Sequence, residues 1–293
     1  MHKSGFVNIV GNPNVGKSTL MNALVGERIS IITSKAQTTR HRILGIVNGE
    51  DFQIVYSDTP GVLKPNYRLQ ESMLNFSRSA LTDADVLLYV TDVFDSNEKN
   101  ADFVEKVNLN PAPLILIINK IDLIDEEKLI VFVEKWKELL PRAEIYPISA
   151  LEKFNIDPLF KRIKDLLPES PAFFDKDQLT DKPTRFFVTE IIREKILMNY
   201  EKEIPYSVEV EVEQFQEDDR LIRINAVIYA ERDSQKGIII GHGGKSLKKV
   251  GTEARKDMET FFDKKVFLEL YVKVEKDWRN KDMKLKSFGY KLD

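Results

Sequence analysis

Cysteine is absent from this chain of 293 residues, and histidine occurs only three times. The lack of cysteine excludes disulfides, thiol nucleophiles and cysteine-ligated zinc or iron–sulfur sites. His2, His41 and His242 are too scattered to suggest a metal cluster. Long apolar runs are missing too, because no stretch reaches the ~18 residues that span a bilayer, and the start, MHKSGFVNIVG, lacks a basic-then-apolar signal region. We therefore expect a cytoplasmic protein with no integral membrane segment.

A large excess of charge of one sign is also lacking. The chain carries 44 Lys and Arg against 47 Asp and Glu, a formal net charge of −3. This balance argues superficially against a nucleic-acid binder, which usually has an excess of Lys and Arg. However, residues 1–181 hold 21 basic and 26 acidic groups, giving −5, and residues 182–293 hold 23 and 21, giving +2. The length fits about two domains, and 42% hydrophobic content can supply a core for each.

Residues 1–167 alternate short, β-rich apolar runs with amphipathic helical stretches. Several runs are nearly continuous Val, Ile and Leu, as in strands buried on both faces of a parallel sheet. The order predicts a doubly wound α/β domain, with strands over 6–11, 52–58, 84–92, 113–119 and 144–149. The run at 41–47 predicts a hairpin partner at one sheet edge. Residues 168–184, rich in Pro, Asp and Ser, predict an interdomain linker.

Residues 185–293 follow a different order. A helical stretch over 186–200 precedes two alternating strands, two helical segments and a further strand. This αββααβ order predicts an α+β domain with a small three-stranded sheet and helices on one face. The alternation in VEVEVE places its carboxylates on the outer face of that sheet. The tail, 277–293, is expected to add a short final helix.

The segment 11–18, GNPNVGKS, matches the phosphate-binding loop G-x-x-x-x-G-K-[ST], with a strand before it and a helix after it. Its glycines let successive N–H groups face a phosphate at a helix N-terminus. Lys17 is predicted to reach the β- and γ-phosphates, and the Ser18 hydroxyl to bind Mg²⁺. Taken alone, the loop indicates only a nucleoside triphosphate. The residues predicted to contact it are Asn12, Asn14, Val15, Gly16, Lys17, Ser18 and Thr19.

The motif DTPG at 58–61 closes a predicted strand. It places Asp58 at the carboxyl edge of the sheet, where a carboxylate can hold Mg²⁺ through water. The N–H of Gly61 is then free to meet the γ-phosphate. In isolation this motif would be an ordinary turn, but its position downstream of the phosphate-binding loop favours the nucleotide role.

The motif NKID at 119–122 follows another apolar strand and selects the base. The Asp122 carboxylate can accept hydrogen bonds from N1–H and the 2-amino group of guanine, whereas adenine would leave it unpaired. Lys120 is predicted to cover the base plane with its aliphatic stem, and Asn119 to tie this loop to the phosphate-binding loop. Ser149 and Ala150, after the last strand, can offer a backbone N–H to guanine O6.

These motifs, in this order, resemble the G domain of translation-factor-type GTPases. The resemblance implies GTP or GDP and Mg²⁺ as ligands, and it places switch I around 35–41, where a threonine binds Mg²⁺ in the GTP state. Thr39 is favoured over Thr38, with Gln37 as a neighbour of the loop. The predicted metal ligands are then Ser18, Thr39 and Asp58, and the predicted catalytic residues are Lys17, Thr39 and Gly61.

One departure from the Ras-like pattern bears on hydrolysis. Val62 stands where Ras-like GTPases carry the glutamine that orients the attacking water. Because valine cannot hydrogen-bond a water molecule, another group must position it, or hydrolysis is slow until a partner or cation helps. In some GTPases with an apolar residue here, an asparagine at the position of Asn14 helps hold K⁺. We therefore hypothesise stimulation by K⁺.

The segment 241–244, GHGG, forms a G-x-x-G loop between two helical stretches, and a basic helix follows it. Such a loop lets the backbone approach a nucleic-acid backbone, beside a groove for about four unstacked nucleotides. With the αββααβ order it resembles a type II KH domain. The predicted RNA-binding residues are Ile240, Gly241, His242, Gly243, Gly244, Lys245, Lys248 and Lys249. The tail interleaves aromatic and basic residues, including Trp278 and Tyr290, which could stack a base or pack the last helix.

A P-loop GTPase domain with TTRH in switch I, joined to a C-terminal type II KH domain, resembles the Era family of bacterial GTPases across essentially the whole chain. The resemblance implies a GTP-hydrolysing switch that binds small-subunit ribosomal RNA near its 3′ end and acts in small-subunit assembly. It also implies a peripheral contact with the inner membrane, and we expect a monomer. GTP and Mg²⁺ would order switch I and switch II, the latter over about 58–71, and hydrolysis would release them.

Two other classes of protein are alternatives to an RNA-binding GTPase switch. An enzyme that uses GTP hydrolysis to drive separate chemistry would need another catalytic centre, and the sequence offers no spare nucleophile or acid–base cluster. A membrane-surface GTPase, with the basic C-terminal stretch on anionic lipid, is the second alternative. Liposome binding that survives RNase treatment would favour it.

Overall fold

A computed structural model of the chain describes residues 1–95 and 100–291. The chain divides into two compact units, the first of Met1–Asn66 and Gln70–Asp181 and the second of Tyr67–Leu69 and Lys182–Asp293. Most of the segment predicted as a linker is therefore part of the first unit. Among the described residues, every helix is too short or too polar to cross a membrane.

A six-stranded sheet forms the centre of the first unit. Its strands are β1 (Lys3–Gly11), β2 (Ile43–Asn48), β3 (Phe52–Asp58), β4 (Val86–Asp92), β5 (Leu114–Asn119) and β6 (Glu144–Pro147). They lie in the order β2-β3-β1-β4-β5-β6, with β2 antiparallel to β3 and the other pairs parallel. All residues of β4 and β5 are buried, because helices cover both faces. The predicted doubly wound α/β fold is confirmed.

Helices pack on both faces of this sheet. They are α1 (Lys17–Val25), α2 (Arg68–Thr82), α3 (Ala101–Leu109), α4 (Glu126–Leu139) and α5 (Ile156–Leu166). One core cluster takes its helical residues from α1 and α5, and the other takes them from α2, α3 and α4. The nucleotide motifs follow the carboxyl ends of β1, β3 and β5, so they meet at one edge of the sheet.

Strand β2 is the predicted hairpin partner, and it forms the sheet edge beside β3. The end of the predicted linker lies along its outer side. The N–H of Ile46 donates to the carbonyl of Leu179 at 2.8 Å, and the N–H of Leu44 donates to Oδ1 of Asp181 at 3.0 Å. An edge strand with unpaired N–H and C=O groups invites association, and these contacts cover part of that edge.

A buried glutamine fixes the middle of the same segment. Oε1 of Gln53 accepts from the N–H groups of Phe173 and Phe174 at 2.7 and 3.0 Å. Nε2 of Gln53 donates to the Phe174 carbonyl and to Oδ1 of Asn48, both at 2.8 Å. The segment lacks an apolar period because polar and backbone groups make many of its contacts with the first unit.

The second unit has its own sheet and core. Its strands β7 (Glu209–Glu217), β8 (Leu221–Ala230) and β9 (Lys265–Val274) lie in that order, with β7 antiparallel and β9 parallel to β8. Its helices are α6 (Thr184–Asn199), α7 (Asp233–Ile240), α8 (Lys245–Phe262) and α9 (Asp282–Ser287). The core joins α6, α7 and α8 to one face of the sheet. The predicted αββααβ order is confirmed.

The VEVEVE carboxylates alternate with the core residues Val208, Val210 and Val212, but the first of them is not exposed. Glu209 is buried, and its Oε2 accepts from the hydroxyl of Tyr290 at 2.6 Å. Its Oε1 accepts from the N–H of Val210 at 3.1 Å. Alternation assigns a face but cannot detect a partner about eighty residues later in the chain, so it missed this contact.

The aromatic residues of the tail pack against the second unit. Trp278 is fully buried, and its Nε1–H donates to the carbonyl of Ser207 at 3.0 Å. Phe288 contacts the Trp278 ring edge-on, with ring centroids 5.6 Å apart. Because Tyr290 is buried as well, the packing role fits Trp278 and Tyr290 better than base stacking. The short final helix is α9, and Leu292 and Asp293 lie outside the described residues.

Candidate functional site

A cavity of about 460 Å³ lies at the edge of the first unit's sheet where the nucleotide motifs meet. Residues from the phosphate-binding loop, switch I, NKID and the loop after β6 line it, among them Gly16, Lys17, Ser18, Thr19, Asn14, Gln37, Thr38, Thr39, Gly61, Asn119, Lys120, Asp122 and Ser149. The structure thus brings most of the predicted nucleotide residues together. Of the other described residues predicted for this site, Asn12, Val15, Asp58 and Ala150 are not part of the lining.

The phosphate-binding loop leads directly into α1. Gly16 has φ 95°, and a Cβ at this position would lie 2.2 Å from Nδ2 of Asn119, so the loop requires glycine here. No side chain caps α1. The first N–H groups of the helix are therefore available to an anion in the cavity.

The ammonium group of Lys17 is buried beneath the loop. Its Nζ donates to the carbonyls of Gly11 and Asn12 at 3.1 and 2.7 Å. Burial lowers the Lys17 pKa to about 8, although the nearby carboxylates of Asp58 and Asp95 act in the opposite direction. Because burial disfavours the charged form of Lys17, a bound phosphate would stabilise that form by supplying negative charge next to it.

Ser18, Thr39 and Asp58 converge from three separate segments of the first unit. The Ser18 hydroxyl donates to Oδ2 of Asp58 at 2.7 Å and lies 2.8 Å from Oγ1 of Thr39. The Thr39 hydroxyl also donates to Oδ2 of Asp58, at 3.4 Å. Thr38 instead donates to the carbonyl of Lys35 at 2.6 Å. This placement favours Thr39 over Thr38 as the third member of the group.

These three residues offer the oxygen ligands that Mg²⁺ prefers. Oδ1 of Asp58 and Oγ of Ser30 are buried and make no hydrogen bond of normal geometry. Burial also raises the Asp58 pKa above its usual range. A cation would relieve both the unsatisfied oxygen and the buried negative charge, so the residues present fit a magnesium site.

The base end of the cavity is held by hydrogen bonds between motifs. Nδ2 of Asn119 donates to the carbonyl of Val15 at 2.9 Å, and its Oδ1 accepts from the N–H of Ala150 at 3.0 Å. The N–H of Ser149 donates to the carbonyl of Phe154 at 3.3 Å, so both of the N–H groups predicted to be available to guanine O6 already have an acceptor. Nζ of Lys120 pairs with Asp92 at 2.5 Å. Asp92 has no place in the four sequence motifs, and motif reasoning did not single it out.

Two leucines beside the base end also escaped the sequence analysis. Leu123 and Leu151 line the cavity and are 57% and 75% exposed. The Asp122 carboxylate, in the turn Ile121–Leu123, is exposed at the same end. Each of these leucines immediately follows a motif, NKID or SA, and this position is the signal that could have identified them.

Switch II begins in close contact with the phosphate-binding loop. A Cβ on Gly61 would lie 2.6 Å from Cα of Pro13, so only glycine fits this approach. Val62 is 3% exposed and belongs to the apolar core beside β4 and α2. Its side chain is therefore packed in the core, in addition to being unable to hydrogen-bond a water molecule. Asn14, predicted to help hold K⁺, donates to the carbonyl of Ser34 at 3.0 Å.

The second unit carries a separate groove of about 340 Å³ beside the G-x-x-G loop. Gly241, Gly243 and Gly244 have φ of 70°, 58° and 76°, which favours glycine at each position. The groove lies between α8 and β9, and its lining consists of Gly244, Leu247, Lys248, Gly251, Thr252, Arg255, Leu268 and Leu270. Its floor is apolar, and Lys248 and Arg255 supply the positive charge.

The groove contains only part of the predicted RNA set. Gly244 and Lys248 line it, and Lys249 lies on the same helix, 3.9 Å from a carboxylate oxygen of Glu253. The other predicted residues belong to the loop and its flanks, outside the described lining: Ile240, Gly241, His242, Gly243 and Lys245. The sequence analysis missed the apolar floor, because Leu268 and Leu270 come from β9, far from the glycine loop in sequence.

Comparison with known proteins gives consistent matches to both units. A family model described as a 50S ribosome-binding GTPase matches residues 6–120, and a model for the KH domain matches residues 203–279. The chain is 44% identical to GTPase Era of Staphylococcus haemolyticus over 291 residues, covering 99% of this chain and 97% of that protein. It is 43% identical to GTPase Era of Ruminiclostridium cellulolyticum, covering 100% and 99%.

Solved structures agree over the same length. The crystal structure of Era in complex with MgGDPNP and nucleotides 1506–1542 of 16S ribosomal RNA has a TM-score of 0.95 and 38% identity, with full coverage of both chains. A variant of Aquifex aeolicus Era bound to GDP and aluminium fluoride has a TM-score of 0.94 and 38% identity, covering 99% of this chain and 100% of that one. Sequence identity, coverage and fold together show that this chain binds guanine nucleotides as a member of the Era family of GTPases.

Proposed function

We propose that this GTPase is a nucleotide-controlled switch that binds ribosomal RNA and acts in assembly of the small ribosomal subunit. The observation that carries the switch is the convergence of Ser18, Thr39 and Asp58, which joins the phosphate-binding loop, switch I and the end of β3 at one point. A ligand at that point would tie the two switch regions to the nucleotide, and its loss would release them.

In this proposal Ser18, Thr39 and Asp58 hold Mg²⁺, with Asp58 acting through water. When bound there, the cation would neutralise negative charge on the phosphates. Lys17 would bind the same phosphates, and the N–H of Gly61 would meet the γ-phosphate. Asn119, Lys120 and Asp122 hold the base, with Ser149 and Ala150 beside O6. These roles follow from the motifs and from the positions of the residues around the cavity.

K⁺ stimulation of hydrolysis is the second part of this proposal. Val62 offers no group to orient water, and Asn14 lines the cavity close to switch I. A monovalent cation held there would supply positive charge beside the phosphates. The measurement is turnover in matched KCl and NaCl buffers, and equal rates in the two salts contradict this part.

RNA is assigned to the groove between α8 and β9. Its apolar floor suits unstacked bases, and Lys248 and Arg255 suit the backbone phosphates. A relative with a TM-score of 0.95 was solved with a 16S ribosomal RNA fragment, whereas one matching family model is described as 50S ribosome-binding. Crosslinking the second unit to cellular RNA and sequencing the fragments tests the small-subunit assignment, which 23S fragments alone would contradict.

The experiment that tests the whole proposal is RNA affinity in two nucleotide states. A single-stranded RNA from the 3′ region of 16S ribosomal RNA is titrated in the presence of GDP or of a non-hydrolysable GTP analogue. We expect tighter binding with the analogue, because nucleotide state and RNA affinity are reciprocally linked. Identical affinities contradict the switch.

A matched pair of variants tests the groove itself. Lys248→Glu reverses a charge in the groove lining, and Lys256→Glu reverses a charge on an exposed residue of the same helix outside that lining. We expect about tenfold or greater loss of RNA affinity for the first and a smaller, salt-sensitive loss for the second. Equal losses would mean that binding reflects general charge.

A cytoplasmic location, peripheral contact with the inner membrane and a monomeric state complete the proposal. The first two rest on the family resemblance and, for the membrane, on the basic residues of the tail, such as Lys284 and Lys286. Sedimentation with anionic liposomes after RNase treatment tests the membrane contact, and sedimentation equilibrium tests the monomer. Retention on liposomes without retained RNA would instead favour the membrane-surface alternative.

A further inference from the structure

Three polar side chains link the phosphate-binding loop to the start of switch II in the first unit. Nδ2 of Asn12 donates to both carboxylate oxygens of Asp95, at 2.9 and 2.8 Å. Nδ2 of Asn100 donates to Oδ1 of Asn12 at 2.6 Å and to the carbonyl of Val62 at 3.0 Å. We call Asn12, Asp95 and Asn100 the amide clamp. None of the four sequence motifs includes Asp95 or Asn100.

The ends of the clamp determine its hydrogen-bond direction. The Asp95 carboxylate and the Val62 carbonyl can only accept. Asn12 must therefore turn its amide NH₂ toward Asp95 and its oxygen toward Asn100. Asn100 must then turn its own NH₂ toward both Asn12 and Val62. Every bond in the clamp is satisfied in this single orientation, which is what a network that fixes geometry requires.

Asn100 makes these bonds instead of a local one. It is the N-cap residue of α3, a position where asparagine normally accepts a hydrogen bond from the helix backbone, yet its side chain makes no capping bond. The amide points instead to the phosphate-binding loop and switch II. A side chain that only stabilised its own helix would cap it, so the contact with Asn12 and Val62 indicates a role beyond α3.

Both backbone groups of Val62 are hydrogen-bonded, and the clamp supplies one of these two bonds. The N–H of Val62 donates to the carbonyl of Gly11 at 3.1 Å, and its carbonyl accepts from Asn100. The neighbouring Gly61, whose N–H is assigned to the γ-phosphate, is thereby held at its close distance from Pro13. The spacing between switch II and the phosphate-binding loop is thus set from both sides.

We propose that Asn100 is a positioning residue for GTP hydrolysis, which keeps the Gly61–Val62 backbone aligned on the phosphate-binding loop. This inference rests on hydrolysis of GTP in the cavity described above. Val62 provides no side-chain group to orient the attacking water. Hydrolysis therefore depends more on the alignment of the backbone here than in a GTPase that has glutamine at this position. Small displacements of reacting groups cost large factors in rate.

The test is Asn100→Asp, a near-isosteric change that replaces the donating NH₂ by an oxygen. The new carboxylate faces the oxygens of Asn12 and Val62, so the clamp opens. We expect single-turnover hydrolysis to slow about tenfold or more, while the dissociation constant of N-methylanthraniloyl GDP stays within about twofold, because GDP makes no γ-phosphate contact. Asn108→Asp, the same change on the same helix outside the clamp, should alter neither value.

Asn100→Ala serves as the second variant, since it removes the donor without adding charge. It should show the same split between rate and GDP affinity, and it decides the question alone if circular dichroism finds Asn100→Asp unfolded. Hydrolysis within twofold of the parent, or equal losses in rate and GDP affinity, overturns the inference. If the parent itself binds no guanine nucleotide, the proposed function fails, and that outcome is read before either variant is compared.

Discussion

At the scale of single residues, the proposed choice of base depends on one exposed carboxylate. Asp122 lies at the end of the cavity in a turn, while Asn119 and Lys120 make the contacts that hold the loop. Because these two neighbours make the hydrogen bonds that hold the loop, the proposed contact with the base falls to Asp122. Replacing it should change specificity with little effect on the fold.

The first prediction concerns that residue. Asp122→Asn should reduce GTP affinity by about 10²-fold or more and raise affinity for xanthosine triphosphate, because an amide can donate to the 2-oxo group that replaces the 2-amino group. Competition titration with fluorescent GDP measures both. Glu126→Gln, an exposed change on nearby α4, should leave both affinities at parent values. Loss of affinity for both nucleotides would contradict the base assignment.

The second prediction separates the two switch I threonines. Thr39→Ala removes a hydroxyl from the Ser18–Asp58 group, whereas Thr38→Ala removes one bonded within the switch I loop. We expect Thr39→Ala to weaken binding of a GTP analogue and to slow hydrolysis about tenfold or more, with GDP affinity unchanged, because the contact belongs to the triphosphate state. Isothermal titration with both nucleotides measures this. A larger effect from Thr38→Ala would reverse the assignment.

At the scale of elements, apolar periodicity predicted the sheet well because its strands are buried on both faces. The runs at 84–92 and 113–119 became β4 and β5, with all their residues buried. The same reasoning missed elements held by polar contacts. The segment 168–181 has no apolar period, yet Gln53 and the edge of β2 fix its path. The burial of Glu209 was not predicted for the same reason, since its hydrogen-bond partner is Tyr290.

The candidate sites also combine residues that the sequence predicts with residues that it does not. The glycine loops and NKID are recognisable in the sequence because phosphate and base recognition need particular residue types at short spacing. Other residues reach these sites only when the chain folds, because they are far away in sequence. Asp95 and Asn100 contact the phosphate-binding loop in this way, and Leu268 and Leu270 line the groove beside the G-x-x-G loop. A single sequence contains no local signal for such pairings.

The third prediction concerns the buried glutamine. Gln53→Leu should destabilise the first unit by about 2 kcal/mol, because it leaves the N–H groups of Phe173 and Phe174 without their acceptor. Urea unfolding measures the loss, and hydrogen exchange should accelerate at those two amides. Gln178→Ala, a change of the same residue type at a less buried position, should cost less than about 1 kcal/mol. Unchanged exchange at 173 and 174 would contradict this account.

At the scale of the whole molecule, each of the two units holds one buried tryptophan. The chain has two tryptophans. Trp136 is fully buried in the core beside α4, and Trp278 is fully buried in the second unit. The near-neutral total charge likewise combines an acidic first part with a slightly basic second part, whose groove carries Lys248 and Arg255. The tryptophan count and the net charge of the whole chain therefore do not reveal how each is distributed between the two units.

The fourth prediction uses these two reporters. In Trp278→Phe, fluorescence follows the first unit, and in Trp136→Phe it follows the second. GDP at one hundred times its dissociation constant should stabilise the first transition by about 2.7 kcal/mol. The second transition should shift by less than about 0.5 kcal/mol. ATP at the same concentration is the control and should move neither. Equal shifts of both transitions would mean that nucleotide binding is not confined to the first unit.

The segment 178–181, which runs along β2, also determines where the chain can be truncated without exposing a strand edge. A fragment ending at residue 167 would expose the outer edge of β2, with the N–H of Ile46 and of Leu44 open to another molecule. Bare edges of this kind pair with one another and drive aggregation. A fragment ending at residue 181 keeps the edge covered and should remain dispersed at concentrations where the shorter one precipitates, so the 178–181 strip protects the nucleotide-binding half from self-association.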